Sequence, residues 1–403
     1  CGPSSSSLRL NSSRIIFPSF CTKSSSYLSI SQSCARRQSG VFFPRPCPAG
    51  FHPKLGRALQ KPHFHDIMRQ KKSGSSGAPG NGGWRDRVHN QTERTEAYEK
   101  NLKSFLCEEY GFRGIAITPA KRGFYGETWR LDTPGKSYFV KLVYFADHQY
   151  IYTCSFGVMD FLRSKGIDFI SAIVKTTEGA LFTRFDGAVL GVFNWIDGEN
   201  IETDETKIRE YQMLAKIYTV PSDGVHIRRE DFSGKSADMF FKQWALSKDS
   251  EILLLLEKNR AKLEYRSHRL QHFAALCRKD TSHFYITHGD AGGNFFVSGD
   301  KAFLLDWDDV LLAPPERDAW VMGFRDWARC LFQRSLREQG IEYSLKPERL
   351  AYYSYYMFFF WLAWLVRCSD AKEIESFLAE YGEKRIEYAD DLWKKSLDGP
   401  ADA

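Results

Sequence analysis

The sequence has 403 residues, of which 43% are hydrophobic and 15% aromatic, so it is long and apolar enough for a large core in two or three domains. Residues 1–90 carry 14 Lys or Arg but only two acids, whereas the remaining residues carry 42 basic and 48 acidic side chains. The formal charge of +6 therefore comes from the N-terminal part. The rest is mildly acidic, which argues against a nucleic-acid or anionic-membrane partner and favours a cationic small substrate.

Nine cysteines are scattered along the chain, with no CxxC pair and no His at zinc spacing. This pattern predicts neither a disulfide framework nor a zinc site. An odd number of dispersed cysteines is typical of a reducing compartment, so we expect a cytoplasmic protein.

Residues 1–90 are rich in Ser, Arg and Pro, and residues 73–83 have the composition of a flexible linker. We expect a disordered tail here. Two interpretations of it remain open. Organelle transit peptides share this Arg- and Ser-rich, acid-poor composition. Because residue 1 is Cys, the second interpretation, which we favour, is that the chain is a fragment or that the segment is a translation from upstream of a true start at Met68.

The first regular elements follow this tail. Apolar residues at Leu102, Phe105 and Leu106, with Gly111 just beyond them, predict an amphipathic helix that ends near the glycine. Residues 114–118 and 121–132 are predicted to form two strands around a glycine-containing turn.

Lys141 lies within an apolar run, residues 138–143, that has the pattern of a strand buried on both faces. A buried lysine is unfavourable unless it meets an opposite charge, which the α- and β-phosphates of a nucleotide would supply. Further strands, predicted at residues 170–174, 180–185 and 188–195, complete a small antiparallel sheet.

The second half of the chain has a helical pattern. Residues 203–218 and 251–279 are predicted as two helices. Residues 351–366 form the most hydrophobic stretch, but its 16 residues are fewer than the roughly 18–20 that a membrane span needs. We therefore expect a buried helix, some of whose aromatic side chains line a pocket, and no membrane partner.

The stretch from residue 284 to 320 carries the clearest chemistry. An apolar run leads into His288, Gly289 and Asp290, and two further short apolar runs separate Asn294 from Asp306. Short strands flanked by Gly and Asp turns predict a hairpin, which would bring both aspartates to one edge.

Phosphoryl transfer needs such a set, because its catalysis rests on positioning and on neutralising charge. Asp290 would accept or orient the proton of a substrate hydroxyl. Asn294 and Asp306 would hold Mg²⁺, which prefers oxygen ligands and takes few carboxylates. His288 is expected to shape the loop.

The combination HGD…N, LLDWDD and APPERD, with KSYFVKL upstream, resembles the aminoglycoside phosphotransferase family over roughly residues 92–397, and spectinomycin-type enzymes in particular. The resemblance implies an α+β, two-lobed protein-kinase-like fold. A small antiparallel β-sheet N-lobe at residues 91–197 would bind the nucleotide. A mostly helical C-lobe at residues 198–397 would hold the catalytic loop and the substrate.

The resemblance also implies roles for single residues. Backbone amides of the turn with Gly123 and Gly126 would cover the phosphates that Lys141 clamps. Backbone groups of Asn194 and Trp195 would read the adenine edge. Two further residues are implied: Asp318 would anchor the catalytic loop, and Asp308 would support the site, as the next candidate metal ligand after Asn294.

Three features depart from the family pattern. Asp290 and Asn294 are four residues apart, whereas kinase-like loops usually have five. The helix predicted at residues 150–165 contains no Glu to hold Lys141, and the nearby acids are Asp147 and Asp160. The helix at residues 351–366 lacks the charged residues of spectinomycin-type relatives.

These observations predict a phosphotransferase that moves the γ-phosphate of ATP or GTP, with Mg²⁺, to a hydroxyl of an aminoglycoside- or aminocyclitol-like small molecule. Two alternatives stay open. One is a kinase of choline, homoserine or a sugar. The other is a nucleotide-binding pseudokinase, which the shortened loop and the missing glutamate motivate.

Overall fold

The computed structural model describes residues 94–120, 126–201, 203–319 and 325–397, apart from the side chain of Asp147. The predicted tail at residues 1–90 and the turn residue Gly123 lie outside these ranges.

The N-terminal part is built on a six-stranded antiparallel sheet of order β1-β2-β3-β6-β4, in which β5 also pairs with β6. Its strands are β1 (Ala116–Pro119), β2 (Gly126–Asp132), β3 (Ser137–Val143), β4 (Ile173–Val174), β5 (Thr183–Phe185) and β6 (Ala188–Asn194). The predicted small antiparallel sheet is confirmed, with shorter strands than the sequence suggested.

Two helices cover the sheet, α1 (Glu96–Tyr110) and α2 (Ala146–Ser164). Because successive side chains of a strand point to opposite faces, Leu142 packs in the α1 cluster and Val143 in the α2 cluster. Lys141, one residue before Leu142, therefore faces α2.

The ends of α1 follow from its sequence. The Thr95 side chain accepts a hydrogen bond from the Tyr98 N–H, which satisfies one of the free amides of the first turn. Gly111 takes φ 68, a left-handed conformation that glycine adopts without strain, and ends the helix. This prediction is confirmed.

The C-terminal part is mostly helical. Its helices are α3 (Asp204–Tyr218), α4 (Lys235–Leu246), α5 (Ser250–Lys258), α6 (Arg260–Arg278), α7 (Glu316–Ala319), α8 (Asp326–Glu338), α9 (Pro347–Cys368), α10 (Ala371–Phe377) and α11 (Ile386–Leu397), with a π-helix at Leu378–Arg385. The single helix predicted at residues 251–279 is wrong, because the chain breaks at Asn259 between α5 and α6. The prediction also lacked α4.

The hydrophobic stretch at residues 351–366 lies within α9, as predicted, and packs in a core with residues of α4 and α6. The structure buries Tyr352, Tyr353, Tyr355 and Phe358, and leaves Tyr356 partly exposed. In the described ranges, no helix is long and apolar enough to cross a membrane.

Two small sheets carry the predicted catalytic stretch. Strand β8 (Phe295–Ser298) pairs with β9 (Lys301–Leu304), and β7 (Tyr285–Thr287) pairs with β10 (Leu311–Ala313). The predicted hairpin is therefore β8–β9 alone, and the strand that leads into Asp290 belongs to the other sheet.

Candidate active site

The predicted catalytic loop, which starts at His288, is held by the buried carboxylate of Asp318 in α7. This carboxylate accepts hydrogen bonds from the backbone N–H of His288 at 3.1 Å and of Gly289 at 2.5 Å. It also accepts one from the Tyr218 hydroxyl at 2.7 Å. Three donors offset the cost of burying the charge, so the two peptide groups before Asp290 have fixed positions.

His288 joins this loop to the segment that carries Asp306. Its Nδ1 accepts the backbone N–H of Asp290 at 3.2 Å, and its Nε2 lies 2.9 Å from the Leu305 carbonyl oxygen. Since a carbonyl only accepts, Nε2 carries the proton and the ring is neutral. Burial lowers the pKa of His288, which agrees with this assignment. The geometry is that of a loop-shaping residue.

Asn294 closes the shortened loop. Residues Gly292–Asn294 form one 3₁₀ turn, in which the Asn294 N–H donates to the Ala291 carbonyl at 2.9 Å. The tighter turn brings the Asn294 side-chain amide to Asp290, where it donates to the backbone oxygen at 2.9 Å and to Oδ2 at 3.1 Å. The amide oxygen therefore points away from Asp290 and is the atom suited to a cation.

The β8–β9 hairpin places Asn294 next to Asp306. Phe295 pairs with Leu304, and the Leu305 N–H donates to the Asn294 carbonyl at 2.9 Å. Asp306 follows with φ 60, a left-handed conformation that aspartate tolerates better than most residues. Such backbone strain is found most often at functional sites.

Lys141 reaches this same place from β3. Its Nζ lies 2.9 Å from Asp306 Oδ1 and 2.6 Å from Asp308 Oδ2. Burial alone lowers the pKa of Lys141, but the two carboxylates outweigh it and hold that pKa well above its ordinary value. The lysine is therefore charged.

Among the described atoms, the acids that pair with Lys141 are Asp306 and Asp308, both in the segment after β9. Asp160 of α2 pairs instead with the exposed Lys175 at 3.0 Å. The side chain of Asp147, the other acid considered, lies outside the described atoms.

Helix α2 contributes two residues that the sequence did not point to. His148 Nε2 lies 3.1 Å from Asp308 Oδ2, and the Tyr152 ring lies 5.3 Å from the Lys141 ammonium. Burial opposes ionisation of Asp308, but Lys141 and His148 more than offset it and keep the pKa of Asp308 below its usual range. The absent glutamate was the available signal that α2 holds the lysine in another way.

A model of the phosphotransferase enzyme family matches residues 116–353, more than half of the chain. The protein belongs to this family. The match covers β1 to the first turns of α9 and so includes Lys141, Asp290 and Asp306.

Solved structures share the fold. A spectinomycin phosphotransferase in complex with ADP and spectinomycin is 20% identical, with 73% of this chain and 98% of that chain covered and a TM-score of 0.56. An aminoglycoside phosphotransferase from Alicyclobacillus acidocaldarius is 15% identical, with 76% and 97% covered and a TM-score of 0.50. An amicoumacin kinase in complex with AMP-PNP is 14% identical, with 73% and 93% covered and a TM-score of 0.50. A comparison with curated protein sequences finds no match.

These comparisons confirm the predicted fold and family. The chain has the α+β, two-lobed protein-kinase-like architecture, with the β1–β6 sheet in one lobe and the helices from α3 onward in the other. At these identities the structural likeness establishes the fold, and the chemistry rests on the geometry above.

The segment predicted to read adenine in this family lies at the end of β6. Here the Asn194 N–H donates to the Ala172 carbonyl at 2.9 Å, and the Trp195 N–H donates to the Ser137 carbonyl at 3.2 Å. Both N–H groups are thus used within the sheet. The reading of the adenine edge by backbone groups of Asn194 and Trp195 stays a prediction.

Gly126 is the first residue of β2 and pairs with Val143 of β3. A Cβ at this position would come within 2.7 Å of the Leu142 carbonyl oxygen, so a side chain would push the two strands apart. Close packing against β3 therefore explains the glycine at position 126. Gly123 lies outside the described residues.

The oxygen atoms near Asp306 fit the Mg²⁺ that the family implies. The described residues contain no group of three or more His, Cys, Asp or Glu that could hold a metal. Mg²⁺ does not require one, because it commonly takes one or two protein oxygens together with waters and phosphate oxygens. The Asn294 amide oxygen and the Asp306 carboxylate would form such a pair, and Asp306 already contacts a cation, the Lys141 ammonium.

Proposed function

We propose that this protein transfers the γ-phosphate of ATP or GTP to a hydroxyl of a small molecule, aminoglycoside- or aminocyclitol-like in class. The observation that carries the proposal is the meeting of Lys141, Asp306 and the Asp290–Asn294 pair, which come from both lobes. Phosphoryl transfer requires such a meeting of cation, metal ligands and base. Residues 91–197 are proposed as the nucleotide-binding lobe and residues 198–397 as the catalytic and acceptor-binding lobe.

In this proposal the acceptor oxygen attacks the γ-phosphorus, the bond to the β,γ-bridging oxygen breaks, and the nucleoside diphosphate leaves. The hydroxyl proton passes to the Asp290 carboxylate, whose Oδ2 is oriented by the Asn294 amide. Lys141 pairs with the α- and β-phosphates. Asn294 and Asp306 would hold Mg²⁺, which would supply positive charge for the phosphate oxygens.

The acceptor class rests on charge and on the family. Residues beyond 90 carry a net charge of −6, which favours an amine-bearing acceptor over an anionic one. Residues 351–366 of α9 lack the charges expected of spectinomycin-type enzymes, so a metabolite acceptor such as choline, homoserine or a sugar is the second candidate.

A substrate panel tests the proposal. Purified full-length protein is incubated with ATP or GTP and Mg²⁺ against aminoglycosides, aminocyclitols, choline, homoserine and sugars, and phosphorylated product is measured by mass spectrometry. We expect product with at least one aminoglycoside or aminocyclitol. Product with choline, homoserine or a sugar alone would select the metabolite kinase. Nucleotide binding with no product in any reaction would select the pseudokinase.

A further inference from the structure

The lysine of β3 is held in an unusual way for a kinase-like fold. Helix α2 contains no glutamate, and the partner of Lys141 is the buried Asp308, at 2.6 Å. Asp308 in turn contacts His148 of α2 at 3.1 Å, and the His148 side chain is only 2% exposed. A hydrogen-bonded relay of three groups, of which His148 and Asp308 are buried and Lys141 is partly buried, therefore links α2, the segment after β9 and β3.

We propose that His148 is a positioning residue for phosphate binding, which acts through Asp308 to keep Lys141 aligned. This inference rests on the proposed function, because it assumes that Lys141 faces the nucleotide phosphates. It assigns to an imidazole on α2 and a carboxylate after β9 the task that a single helix glutamate performs in kinases.

The geometry explains why a second carboxylate is needed. Lys141 contacts both Asp306 and Asp308, but Asp306 is the carboxylate proposed to bind metal. Once Asp306 turns to a cation, Asp308 is the acid that keeps the ammonium in place. Lys141 Nζ and His148 Nε2 both contact Asp308 Oδ2, so His148 is a second donor that holds this oxygen in place from the α2 side.

The test is a double-mutant cycle on nucleotide affinity, which requires no acceptor. Affinity for ADP with saturating Mg²⁺ is measured by titration calorimetry for the wild type, His148→Ala, Asp308→Asn and the double variant. We expect each single change to weaken binding about tenfold, the scale of one hydrogen bond to a charged group. In the Asp308→Asn background, His148→Ala should add less than about twofold, because the two residues form one unit.

Two further variants separate positioning from packing. His148→Gln places an amide N–H near the position of the histidine Nε2, so its affinity for ADP should approach that of the wild type. The shorter side chain in His148→Asn should not restore this affinity. His226→Ala, at an exposed histidine, is the matched control and should bind as the wild type does. Unfolding by urea is followed for every variant.

The outcomes are distinct. Wild-type affinity in His148→Ala, additive effects in the cycle, or a loss of stability with unchanged ADP affinity would each overturn the proposal. Tighter binding in Asp308→Asn would also overturn it, since Asp308 would then compete with the phosphates for Lys141. If the wild type binds neither ADP nor GDP, the proposed function itself is wrong, and the double-mutant cycle then gives no separate result on His148.

Discussion

The Lys141 ammonium lies 2.9 Å from the Asp306 carboxylate, although 165 residues separate the two in sequence. One residue belongs to the sheet of the first lobe and the other follows the β8–β9 hairpin of the second. Their ion pair ties the lobes together at the point where phosphate and metal charges are expected. The carboxylate at this distance helps to hold the lysine in its charged form.

Removing either member of this pair should weaken nucleotide binding. Lys141→Ala takes away the cation that faces the phosphates, and Asp306→Ala takes away a metal ligand. We expect affinity for Mg-ATP to fall about 10- to 100-fold in each variant, the range for one interaction with a charged group. Titration calorimetry measures it, with Lys175→Ala at an exposed ion pair as the control. Unchanged affinity in both variants would reject the nucleotide site.

Gly289 tests the geometry of the catalytic loop. It has φ 86, and a Cβ there would overlap the Arg317 guanidinium. Arg317 cannot move away freely, because it donates to Thr287 Oγ1 at 3.1 Å and to the Asp309 carbonyl at 2.7 Å. Gly289→Ala should therefore destabilise the fold by about 2–3 kcal/mol and displace Asp290.

The control for that substitution is Gly299→Ala. Gly299 also has a positive φ, 60, but nothing lies within 4 Å of a Cβ placed there. This variant should lose only about 1 kcal/mol of its unfolding free energy, the cost of a left-handed backbone conformation for alanine. Urea unfolding measures both, and equal losses would show that the contact with Arg317 has no energetic weight.

Local features of the fold could be predicted from the sequence. Helix α1, strand β3 and the β8–β9 hairpin each follow from a local pattern of apolar residues and an adjacent turn or cap. The break at Asn259 was missed because neither Gly nor Pro marks it. Its side chain donates to the Leu255 carbonyl at 2.9 Å at the end of α5, a local contact that residue patterns do not reveal.

The site could be predicted only in part. The HGD and LLDWDD motifs point to Asp290, Asn294 and Asp306, because these residues lie in short stretches of sequence whose pattern is recognisable by itself. The Lys141–Asp308–His148 relay could not be predicted, because it depends on how α2 packs against a segment 160 residues away. Pairing across such distances is decided by tertiary packing, which a single sequence does not encode in a local pattern.

Glu316 gives a prediction of pH dependence. Burial raises the pKa of Glu316 to about 7, against 4.5 in its unperturbed state, while hydrogen bonds from Tyr343 and Lys346 to Oε1 only partly offset it. Between these values the folded state holds a proton that the unfolded state has released, so stability falls as pH rises from about 5 to 7. The total loss is on the order of 3 kcal/mol.

Glu316→Gln keeps the Oε1 acceptor and removes the titrating group. Its unfolding free energy, measured with urea between pH 5 and 8, should fall less steeply than that of the wild type. Asp309, whose pKa burial also raises to about 7, leaves a residual slope in both proteins. The exposed Glu338→Gln is the control. Parallel curves for wild type and Glu316→Gln would contradict the assignment.

Asn294 is tested through the dependence on Mg²⁺. If its amide oxygen is a ligand, Asn294→Ala should raise the Mg²⁺ concentration for half-maximal binding of ATP at least about tenfold. Asn200→Ala is the matched control, because Asn200 donates to the Gly293 and Phe295 carbonyls next to Asn294 and is not one of the proposed metal ligands. Wild-type Mg²⁺ dependence in Asn294→Ala would move the second ligand elsewhere, with Asp308 the first candidate.

Asp290 separates an enzyme from a nucleotide-binding protein. A positioned carboxylate contributes by orienting the acceptor hydroxyl and taking its proton, which is typically worth about 10²–10⁴ in rate. Asp290→Asn keeps the shape of the side chain and removes its charge, so turnover of the acceptor found in the panel should fall by that factor while ATP affinity stays within about twofold. Asp300→Asn, in the exposed β8–β9 turn, should leave turnover unchanged. Mass spectrometry of the acceptor and calorimetry with ATP measure the two effects separately, and an Asp290→Asn protein that still turns over at the wild-type rate would remove Asp290 from the reaction.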